Sequence, residues 1–475
     1  MEPASSKVVE DRVRKLNDAP LRADARYVLY WAQMNRRVEA NQALAYAISL
    51  ANEQGLPVLF YEGLTCSYPF ANDRFHTFLL AGVPDTEREL QQHGIGYLFY
   101  LRKRRSDPND LLYELAKHAA AIVTDDFPAF IARQHNASVP AKTGVAYFAV
   151  DSSCVVPMAR LEKREYAAYT IRPKIHKLLP QYLQAAPNPK VKHPYRFPRH
   201  KLHSDVTERT IPELVQSCEI DHGVPPSLAF RGGSAQAHKH LEHFLTKNLS
   251  RYAINRNEPT AHATSDLSPY LHFGHISSLQ VALEANRYAE QHKLMPSEFL
   301  EELIVRRELA FNFAAHSSQL DSLSVLPDWA RKSLEQHRKD ARTPAYTREQ
   351  LERAETHDDL WNATQKELLL RGKIHGYYRM YWGKKVIEWS QTYQDALDAM
   401  IYFHDRYALD GRDPNTYTNI LWCFGLHDRP FQERPIFGQI RYMSYDGMKR
   451  KTNIAGYLRE IQFLEQTGKD PFRLG

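Results

Sequence analysis

The sequence predicts an α/β domain with a parallel, Rossmann-like sheet, followed by a large all-α domain. Short apolar runs alternate with amphipathic segments up to about residue 160, and the last half of the chain has helical periodicity almost throughout. A stretch rich in Pro and Lys separates the two regions. The predicted boundaries are an N-terminal extension (1–24), the α/β domain (25–160), an interdomain linker (161–225) and the all-α domain (226–475).

Five predicted strands form the α/β domain, and helices separate them. The strands are the short apolar runs RYVLYW, PVLFYEGL, IGYLFYL, AIVTDD and GVAYFAVD. The first predicted helix, VEANQALAYAISLANEQG, should end at Gly55. The segment RFHTFLLAGVPDTERELQQHG predicts one or two further helices, and DLLYELAKHAAA predicts the last one. Ligands of such sheets bind beyond the carboxyl ends of the strands. No GxGxxG motif follows the first strand, so the sequence does not support an NAD-type site.

The segment from Pro180 to Pro198 has no periodicity and predicts an irregular linker. Helical patterns follow from about Ser227. The clearest are AQAHKHLEHFLTKNL, ISSLQVALEANRYAEQH, PSEFLEELIVRRELAFNF and HGYYRMYWGKKVIEWS. The last of these predicts a helix from about Gly372 to Ser390.

Composition narrows the class of protein. A chain of 475 residues, 43% hydrophobic and 25% charged, is long enough for two globular domains and is not typical of disorder. The net charge of +6 favours a polyanionic partner only weakly. The four cysteines are far apart in the sequence, which argues against disulfides and against a zinc site. The spacing of His238, His240 and His243 matches no zinc-binding motif, so we predict no metal site. The sequence has no long apolar run and no apolar leader, so we expect no contact with a membrane. The expected compartment is the cytoplasm, or the nucleus in a eukaryote.

The run TSDLSPYLHFGHIS (Thr264–Ser277) places hydroxyl side chains and free backbone N–H groups before an apolar turn. Such a helix start suits a phosphate group. An ordinary capped helix start is the alternative, and the residues taken alone favour it.

Aromatic residues repeat at a helical spacing farther along the chain. His375, Trp382 and Trp389 lie seven residues apart, with Arg379 and Val386 between them, so all five share one face of the predicted helix. The two tryptophans are then about 10 Å apart along the helix axis. That distance suits electron hopping between indoles, and an aromatic stripe buried in the core is the alternative.

Basic residues cluster near the carboxyl end of the chain: Arg429, Arg434, Arg441, Lys449, Arg450 and Lys451. With Lys373, Lys384 and Lys385 they predict contacts to phosphates and salt-dependent binding. A solvated basic face is the alternative.

Together these runs resemble the class II cyclobutane pyrimidine dimer photolyases of the photolyase/cryptochrome superfamily. The resemblance continues through LWNATQ, HGYYRMYWGKK and LDGRDPN and covers nearly the whole chain. It implies a flavoprotein and carbon–carbon lyase for DNA repair, in which light-driven electron transfer from reduced FAD (FADH⁻) splits the dimer. The implied partner is UV-damaged DNA, single- or double-stranded, and the implied state is a monomer.

Two matters stay open at this point. The resemblance does not decide whether an antenna chromophore binds the α/β domain, or whether it is 8-hydroxy-5-deazaflavin or a folate. The alternative function within the superfamily is a cryptochrome-like blue-light photoreceptor without repair activity. Outside it, the alternatives are a light-independent flavoprotein and a plain nucleic-acid-binding protein.

The resemblance also implies roles for individual residues. The catalytic residues at the dimer would be Glu302, Trp422 and Met380. The electron-transfer residues would be three tryptophans, which run from the flavin outward in the order Trp382, Trp361 and Trp389. Two tyrosines, Tyr381 and Tyr346, would assist them. The FAD-binding residues would be Tyr252, Thr264, Ser265, Asp266, Leu267, Ser268, Arg307, Asn312, His375, Arg379, His404, Asp410, Arg412 and Asn415. The DNA-binding residues would be Arg429, Phe431, Arg441 and Lys449. Arg379 and Asp410 are expected to form an ion pair beside the isoalloxazine ring.

Four positions depart from the class II pattern. His404 stands where asparagine is usual; a histidine can donate a hydrogen bond to the flavin but titrates near neutrality, so we expect pH-dependent photoreduction. Phe431 replaces a tryptophan and is expected to weaken lesion binding without abolishing it. Phe311 replaces an acidic residue, and Thr416 replaces a glycine.

Overall fold

The computed structural model describes residues 10–474, and its N-terminal part is built on one six-stranded sheet. The strands are β1 (Val13–Lys15), β2 (Tyr27–Ala32), β3 (Val58–Thr65), β4 (Gly96–Arg102), β5 (Ala119–Asp125) and β6 (Ala146–Val150). Their order is β1-β6-β5-β2-β3-β4, and every pairing is parallel except that of β1 with β6. The predicted parallel-dominated sheet is confirmed.

Strand β1 lies inside the predicted N-terminal extension. It pairs antiparallel with β6, with Val13 opposite Val150. Its sequence, VRK, is too short and too polar to give a periodic signal. The extension is therefore not separate from the α/β domain, because Val13–Lys15 forms one edge of the sheet. Residues 1–9 of the predicted extension lie outside the described residues.

Helices pack on both faces of this sheet: α1 (Gln42–Gln54), α2 (Asp73–Leu80), α3 (Val83–Gln92), α4 (Leu111–Ala116) and α5 (Phe130–Ser138). Alternate residues of β2 face opposite ways: Val28 packs with α1, and Leu29 packs with α4. Asn41 caps the start of α1, since its side chain accepts the Leu44 N–H, and Gly55, with a φ of 67°, terminates the helix as predicted.

The predicted linker contains two helices, α6 (Ala168–Tyr182) and α7 (Ile211–Gln216). Between them, residues 183–210 form neither helix nor strand, as the lack of periodicity predicted. This irregular segment runs along the edge strand β4. The backbone N–H of Ser204 donates to the Phe99 carbonyl at 2.9 Å, and that of Tyr195 donates to the Gly94 carbonyl at 2.8 Å.

The C-terminal part is helical, as predicted. Its helices are α8 (Ser234–His243), α9 (Leu249–Asn255), α10 (Ser268–His272), α11 (Ser278–His292), α12 (Ser297–Leu300), α13 (Arg307–Ala315), α14 (Asp328–Gln336), α15 (Arg348–Glu352), α16 (Asp359–Arg371), α17 (Gly376–Trp389), α18 (Tyr393–Tyr407), α19 (Pro414–Cys423), α20 (Tyr445–Lys449) and α21 (Ile454–Thr467). Two π-helical turns, Phe244–Asn248 and Glu301–Arg306, continue α8 into α9 and α12 into α13. Such turns are frequent at functional sites.

The helix predicted over Gly372–Ser390 is shorter than expected at its start. Gly372 has a φ of 77° and ends the preceding helix α16 in the left-handed region that favours glycine. Helix α17 then begins after His375, whose ring Nδ1 accepts the Tyr377 N–H at 3.3 Å. His375 is thus a cap, and the face that it was predicted to share begins with Arg379.

Buried polar contacts join the two regions of the chain. Glu308 of α13 accepts the backbone N–H groups of Val155 and Val156 at 2.7 and 3.0 Å. Arg74 of α2 donates to the Leu368 and Tyr407 carbonyls at 3.0 and 2.8 Å. No helix within residues 10–474 is long and apolar enough to cross a membrane.

Candidate active site

A cavity of about 1510 Å³ opens within the helical region. It exceeds the ~300–1,000 Å³ of a typical small-molecule pocket, so it has room for more than one ligand. Most of the residues predicted for FAD, lesion and DNA line it together: Tyr252, Thr264, Ser265, Asp266, Leu267, Ser268, Glu302, Arg379, Met380, Trp382, His404, Asp410, Trp422, Arg429, Phe431 and Arg441.

The predicted ion pair between Arg379 and Asp410 lies in one wall of this cavity. Arg379 Nη2 is 3.0 and 3.1 Å from the two carboxylate oxygens, and Ser268 Oγ donates to the same carboxylate at 2.7 Å. Burial by itself raises the pKa of Asp410, but the positive charges of Arg379 and Lys373 outweigh it and hold the pKa at about 2. Asp410 is therefore ionised at neutral pH.

A second ion pair involves the segment Thr264–Ser277, which was predicted to suit a phosphate group. Lys373 Nζ lies 2.6 Å from Asp266 Oδ1, and the Thr264 hydroxyl donates to the same oxygen at 3.2 Å. Burial raises the pKa of Asp266, but Lys373 overcomes it and holds the pKa at about 2. Thr264, Ser265 and Ser268 add hydroxyl groups to this part of the cavity wall.

His404 of α18 faces the same cavity, next to Trp382. The two rings meet edge to face with centroids 5.2 Å apart. The His404 Nδ1 lies 2.8 Å from the Met400 carbonyl, so Nδ1 carries the hydrogen and Nε2 is left as a buried acceptor without a partner. Burial lowers the pKa of His404 to about 4. Near pH 7 the ring is therefore neutral and offers the cavity an acceptor instead of the expected donor, and this geometry favours a photoreduction that does not depend on pH.

The residues predicted to contact the dimer lie farther along the same cavity. Glu302 is on the π-helical turn Glu301–Arg306, and its Oε1 accepts a hydrogen bond from Arg256 Nη1 at 2.6 Å. Two cations lie near the ring of Trp422 in α19: Lys384 Nζ is 5.0 Å and the Arg441 guanidinium carbon 5.5 Å from its centroid. These cation–π contacts hold the indole in place.

Two arginines lie close to the ring of Phe431. The guanidinium carbons of Arg441 and Arg429 lie 4.3 and 5.4 Å from its ring centroid. Arg441 is further fixed by Asp428, whose carboxylate accepts from its Nε at 2.9 Å. An aromatic face flanked by cations suits a nucleobase next to a phosphate backbone.

Three tryptophans form a continuous aromatic chain away from the cavity. Trp382 and Trp361 are parallel, with centroids 6.1 Å apart, and Trp361 meets Trp389 edge to face at 5.7 Å. The Trp361 indole N–H donates to the Trp382 carbonyl at 3.0 Å, and the Trp382 indole N–H donates to Gln365 at 2.9 Å. Tyr346 adjoins Trp389 at 5.6 Å. The contact order is the one that the resemblance implies for an electron relay.

Comparison with known proteins fits this arrangement. Residues 28–191 match a family model described as DNA photolyase. A deoxyribodipyrimidine photo-lyase of Methanothermobacter thermautotrophicus is 39% identical over 457 residues, which cover 96% of this chain and 98% of that protein. The chain belongs to the DNA photolyase family. Another photolyase with the same description, from Arabidopsis thaliana, is 38% identical and covers 93% of this chain and 90% of its own.

A solved structure shows that the fold is shared as well. The bacterial class III photolyase from Agrobacterium tumefaciens matches with a TM-score of 0.66 over 95% of this chain and 90% of its own, at 18% identity. The relatives at 38–39% identity are lyases by name, so this photolyase is an enzyme of the same kind.

Two predicted FAD ligands on α13 of the photolyase are held elsewhere by the protein itself. Arg307 Nε donates to the Ser153 carbonyl at 3.3 Å, and its guanidinium lies on the Phe311 ring. Asn312 donates to the Leu161 and Lys163 carbonyls at 3.2 and 2.9 Å. These side chains connect the helical region to the segment 153–163, which follows the last strand of the sheet. Neither lines the cavity, contrary to the prediction.

Arg412 and Asn415 of the LDGRDPN loop also fail to line the cavity. Arg412 has a φ of 57°, and its guanidinium carbon lies 3.7 Å from the Phe75 ring centroid. Asn415 donates to Asp413 Oδ1 at 2.8 Å and so helps to cap α19. Thr416, one of the departures from the class II pattern, donates its hydroxyl to the Asp410 carbonyl at 2.6 Å and steadies the ion-pair loop.

Three other predicted residues have different surroundings. His375 lines a small neighbouring cavity of about 50 Å³, not the large one. Lys384 is fully buried and donates to the Cys423 carbonyl at 2.6 Å, and Lys385 pairs with Glu388 at 2.6 Å. The prediction that these two lysines contact phosphates is wrong.

Sequence reasoning missed Arg256 and Gln365. Arg256 lies four residues after Tyr252, so a helical-face argument could have placed it beside the same cavity. Gln365 gave no signal, because only the crossing of α16 and α17 brings it to the Trp382 indole. Lys449 is exposed on α20 and does not line the cavity, so its contact with DNA stays a prediction. Within the described residues, no group of His, Cys, Asp or Glu could hold a metal ion.

Proposed function

We propose that this photolyase binds FAD and uses light to split cyclobutane pyrimidine dimers in UV-damaged DNA, as in the class II branch that its sequence resembles. The observation that carries the proposal is the shared cavity, where Arg379 and Asp410 lie in the same space as Glu302 and Trp422. Bound and reduced FAD supplies the photoexcited electron that opens the cyclobutane ring.

The residues present fit a flavin. The Nε atom of Arg379 and the Nε2 atom of His404 are buried without a partner inside the protein, although both residues line the cavity. Buried polar atoms of this kind require a partner, and a polar ring edge provides one. We propose that the Arg379 guanidinium, fixed by Asp410, stabilises negative charge on that ring. Thr264, Ser268 and Lys373 would hold the diphosphate.

Glu302 and Trp422 would hold the flipped-out pyrimidine pair. The Glu302 carboxylate accepts hydrogen bonds, and Arg256 fixes it at 2.6 Å. It therefore suits the N–H groups of the bases, while the clamped Trp422 indole offers them a flat apolar face. Damaged pyrimidines stack and pair poorly, so extruding them costs less than extruding intact bases.

The rim of the cavity would contact the DNA strand. Arg429, Phe431 and Arg441 line the cavity and would supply part of this contact. On the linker helix side, Tyr166 and Tyr169 are 47% and 64% exposed, which is high for large aromatic side chains. Exposed aromatic rings beside arginines suit stacking on unpaired bases.

The tryptophan chain would activate the oxidised cofactor and take no part in the repair step. Trp382 lines the cavity and Trp389 lies next to Tyr346 at the outer end. The presence of both Glu302 and Trp422 in the cavity favours repair over the photoreceptor alternative.

Anaerobic repair tests the proposal. The FAD-loaded, chemically reduced protein is illuminated with an oligonucleotide that contains one dimer, and restored pyrimidines are measured by chromatography. We expect light-dependent repair that Glu302→Gln strongly reduces. The matched control is Glu284→Gln on α11, whose carboxylate also pairs with an arginine, Arg287. Neither of these two residues lines the cavity, so the control should leave repair unchanged. Failure to bind FAD, or equal repair in light and darkness, would refute the proposal.

A further inference from the structure

The outer end of the tryptophan chain carries a histidine that has no role so far. The Trp389 ring meets two other rings edge to face, Tyr346 at 5.6 Å and His357 at 5.2 Å between centroids. Tyr346 is also hydrogen-bonded to the end of α17, because its backbone N–H donates to the Trp389 carbonyl at 3.0 Å. Trp389 is buried, whereas His357 is exposed to solvent.

The Tyr346 hydroxyl is held by His357 from two directions. The oxygen lies 2.8 Å from the imidazole Nδ1 and accepts the backbone N–H of His357 at 3.0 Å. In the tautomer that carries the ring hydrogen on the exposed Nε2 side, the hydroxyl donates its hydrogen to Nδ1 while its oxygen accepts the backbone N–H, and we assign this tautomer to His357. A basic nitrogen is thus already in place to take the phenolic proton.

Tyr381, the other tyrosine of the predicted relay, has a different partner. Its hydroxyl bonds to the carboxylate of Asp358, which is buried. The second oxygen of that carboxylate caps α16 by accepting the Trp361 N–H at 2.8 Å. A proton delivered to Asp358 would stay inside the protein and weaken this cap, whereas one delivered to His357 can pass directly to water.

We propose that His357 is the proton acceptor that makes Tyr346 the terminal electron donor of this relay. The proposal rests on the function proposed above, since Trp389 is oxidised through Trp361 and Trp382 by photoexcited oxidised FAD. One electron moves from Tyr346 to the oxidised indole of Trp389, the phenolic O–H bond breaks, and an N–H bond forms at His357 Nδ1. The products are a neutral tyrosyl radical, a restored indole and an imidazolium.

The same geometry completes the cycle at the surface. The imidazolium returns one proton to water, because His357 is exposed. An external one-electron reductant, such as a thiol or ascorbate, then supplies an electron and a proton to the tyrosyl radical. Proton transfer to His357 prevents the electron from returning at once along the tryptophans, because the radical that remains on Tyr346 carries no positive charge.

Electron paramagnetic resonance after a blue flash tests the assignment in the FAD-loaded protein, because tyrosyl and tryptophanyl radicals have different spectra. We expect a tyrosyl radical in the unmodified protein, slower to form in heavy water. In His357→Gln, whose amide accepts a hydrogen bond but no proton, it should form ~100-fold more slowly, the scale of a lost general base. The radical should then remain on tryptophan.

Chemical rescue separates proton acceptance from structure. In His357→Ala the exposed site leaves room for imidazole from the buffer, which should restore the tyrosyl radical. The matched control, Tyr346→Phe combined with His357→Ala, should not respond to imidazole. A tyrosyl radical that persists in His357→Ala without imidazole, or in Tyr346→Phe, would overturn the inference, and so would failed rescue. If the unmodified protein binds no FAD or forms no radical of any kind, the proposed function itself fails.

Discussion

The ion pair between Arg379 and Asp410 allows a quantitative test. The pKa of Asp410 falls from an ordinary 3.8 to about 2, and each unit corresponds to about 1.4 kcal/mol. After the cost of burial, the net shift favours the ionised carboxylate by roughly 2–3 kcal/mol, and Lys373 and Ser268 contribute to it beside Arg379. We expect about 2 kcal/mol of coupling between Arg379 and Asp410, more than the ~0.2–1 kcal/mol of an exposed pair.

The coupling is measured by a double-mutant cycle with Arg379→Met and Asp410→Asn. Urea unfolding of the four FAD-free proteins gives the free energies of unfolding. A carboxyl group with a lowered pKa stabilises the fold fully above its ordinary pKa and loses this effect as the pH falls toward about 2. The coupling should therefore be complete at neutral pH.

An exposed pair of similar length serves as the control for this cycle. Lys117 and Glu114 are 2.7 Å apart, with both side chains more than half exposed, so their coupling should lie below ~1 kcal/mol. A coupling between Arg379 and Asp410 no larger than that of the control pair would refute the electrostatic reasoning for the cavity wall.

Three further predictions concern the relay, the pH response and the stability of the fold. Trp361→Phe interrupts the aromatic chain, so photoreduction of oxidised FAD should be lost while the chemically reduced protein still repairs dimers; equal loss of both would contradict the assignment. Since burial keeps the pKa of His404 at about 4, the photoreduction rates of the unmodified protein and of His404→Asn should both be flat between about pH 6 and 9, and an inflection confined to the unmodified protein would oppose this. Arg371→Met leaves the carboxylates of Glu367 and Asp470 buried without their cation, which should lower the free energy of unfolding by about 3–5 kcal/mol, and a loss below ~1 kcal/mol in urea would show that the network is not coupled.

The sequence predicted those elements whose signals are local. The apolar runs predicted the parallel strands. The glycine at position 55 predicted the end of α1, because glycine readily adopts the left-handed conformation found there. Helix α6 escaped prediction because Pro173 and Pro180 lie inside it, and proline removes a backbone donor. The helix is kept by tertiary packing, since Ile171 and Ile175 are completely buried in the core.

The cavity was predictable mainly through the resemblance, because it is made by contacts between distant parts of the chain. The spacing of Trp382 and Trp389 suggested a direct relay, yet the contacts run through Trp361, which only the crossing of α16 and α17 places between them. Arg307 and Asn312 were misplaced for a similar reason. Their helix carries residues of the interface between the two regions, and no local pattern distinguishes an interface from a cavity wall.

The central claim is that one cavity holds the flavin and the dimer close enough for an electron to pass between them. The fluorescence lifetime of bound, reduced FAD measures this directly. We predict that an oligonucleotide containing a dimer shortens the lifetime, that the undamaged oligonucleotide does not, and that Trp422→Ala diminishes the effect. An unchanged lifetime in a complex shown to contain both FAD and the damaged DNA would contradict the account.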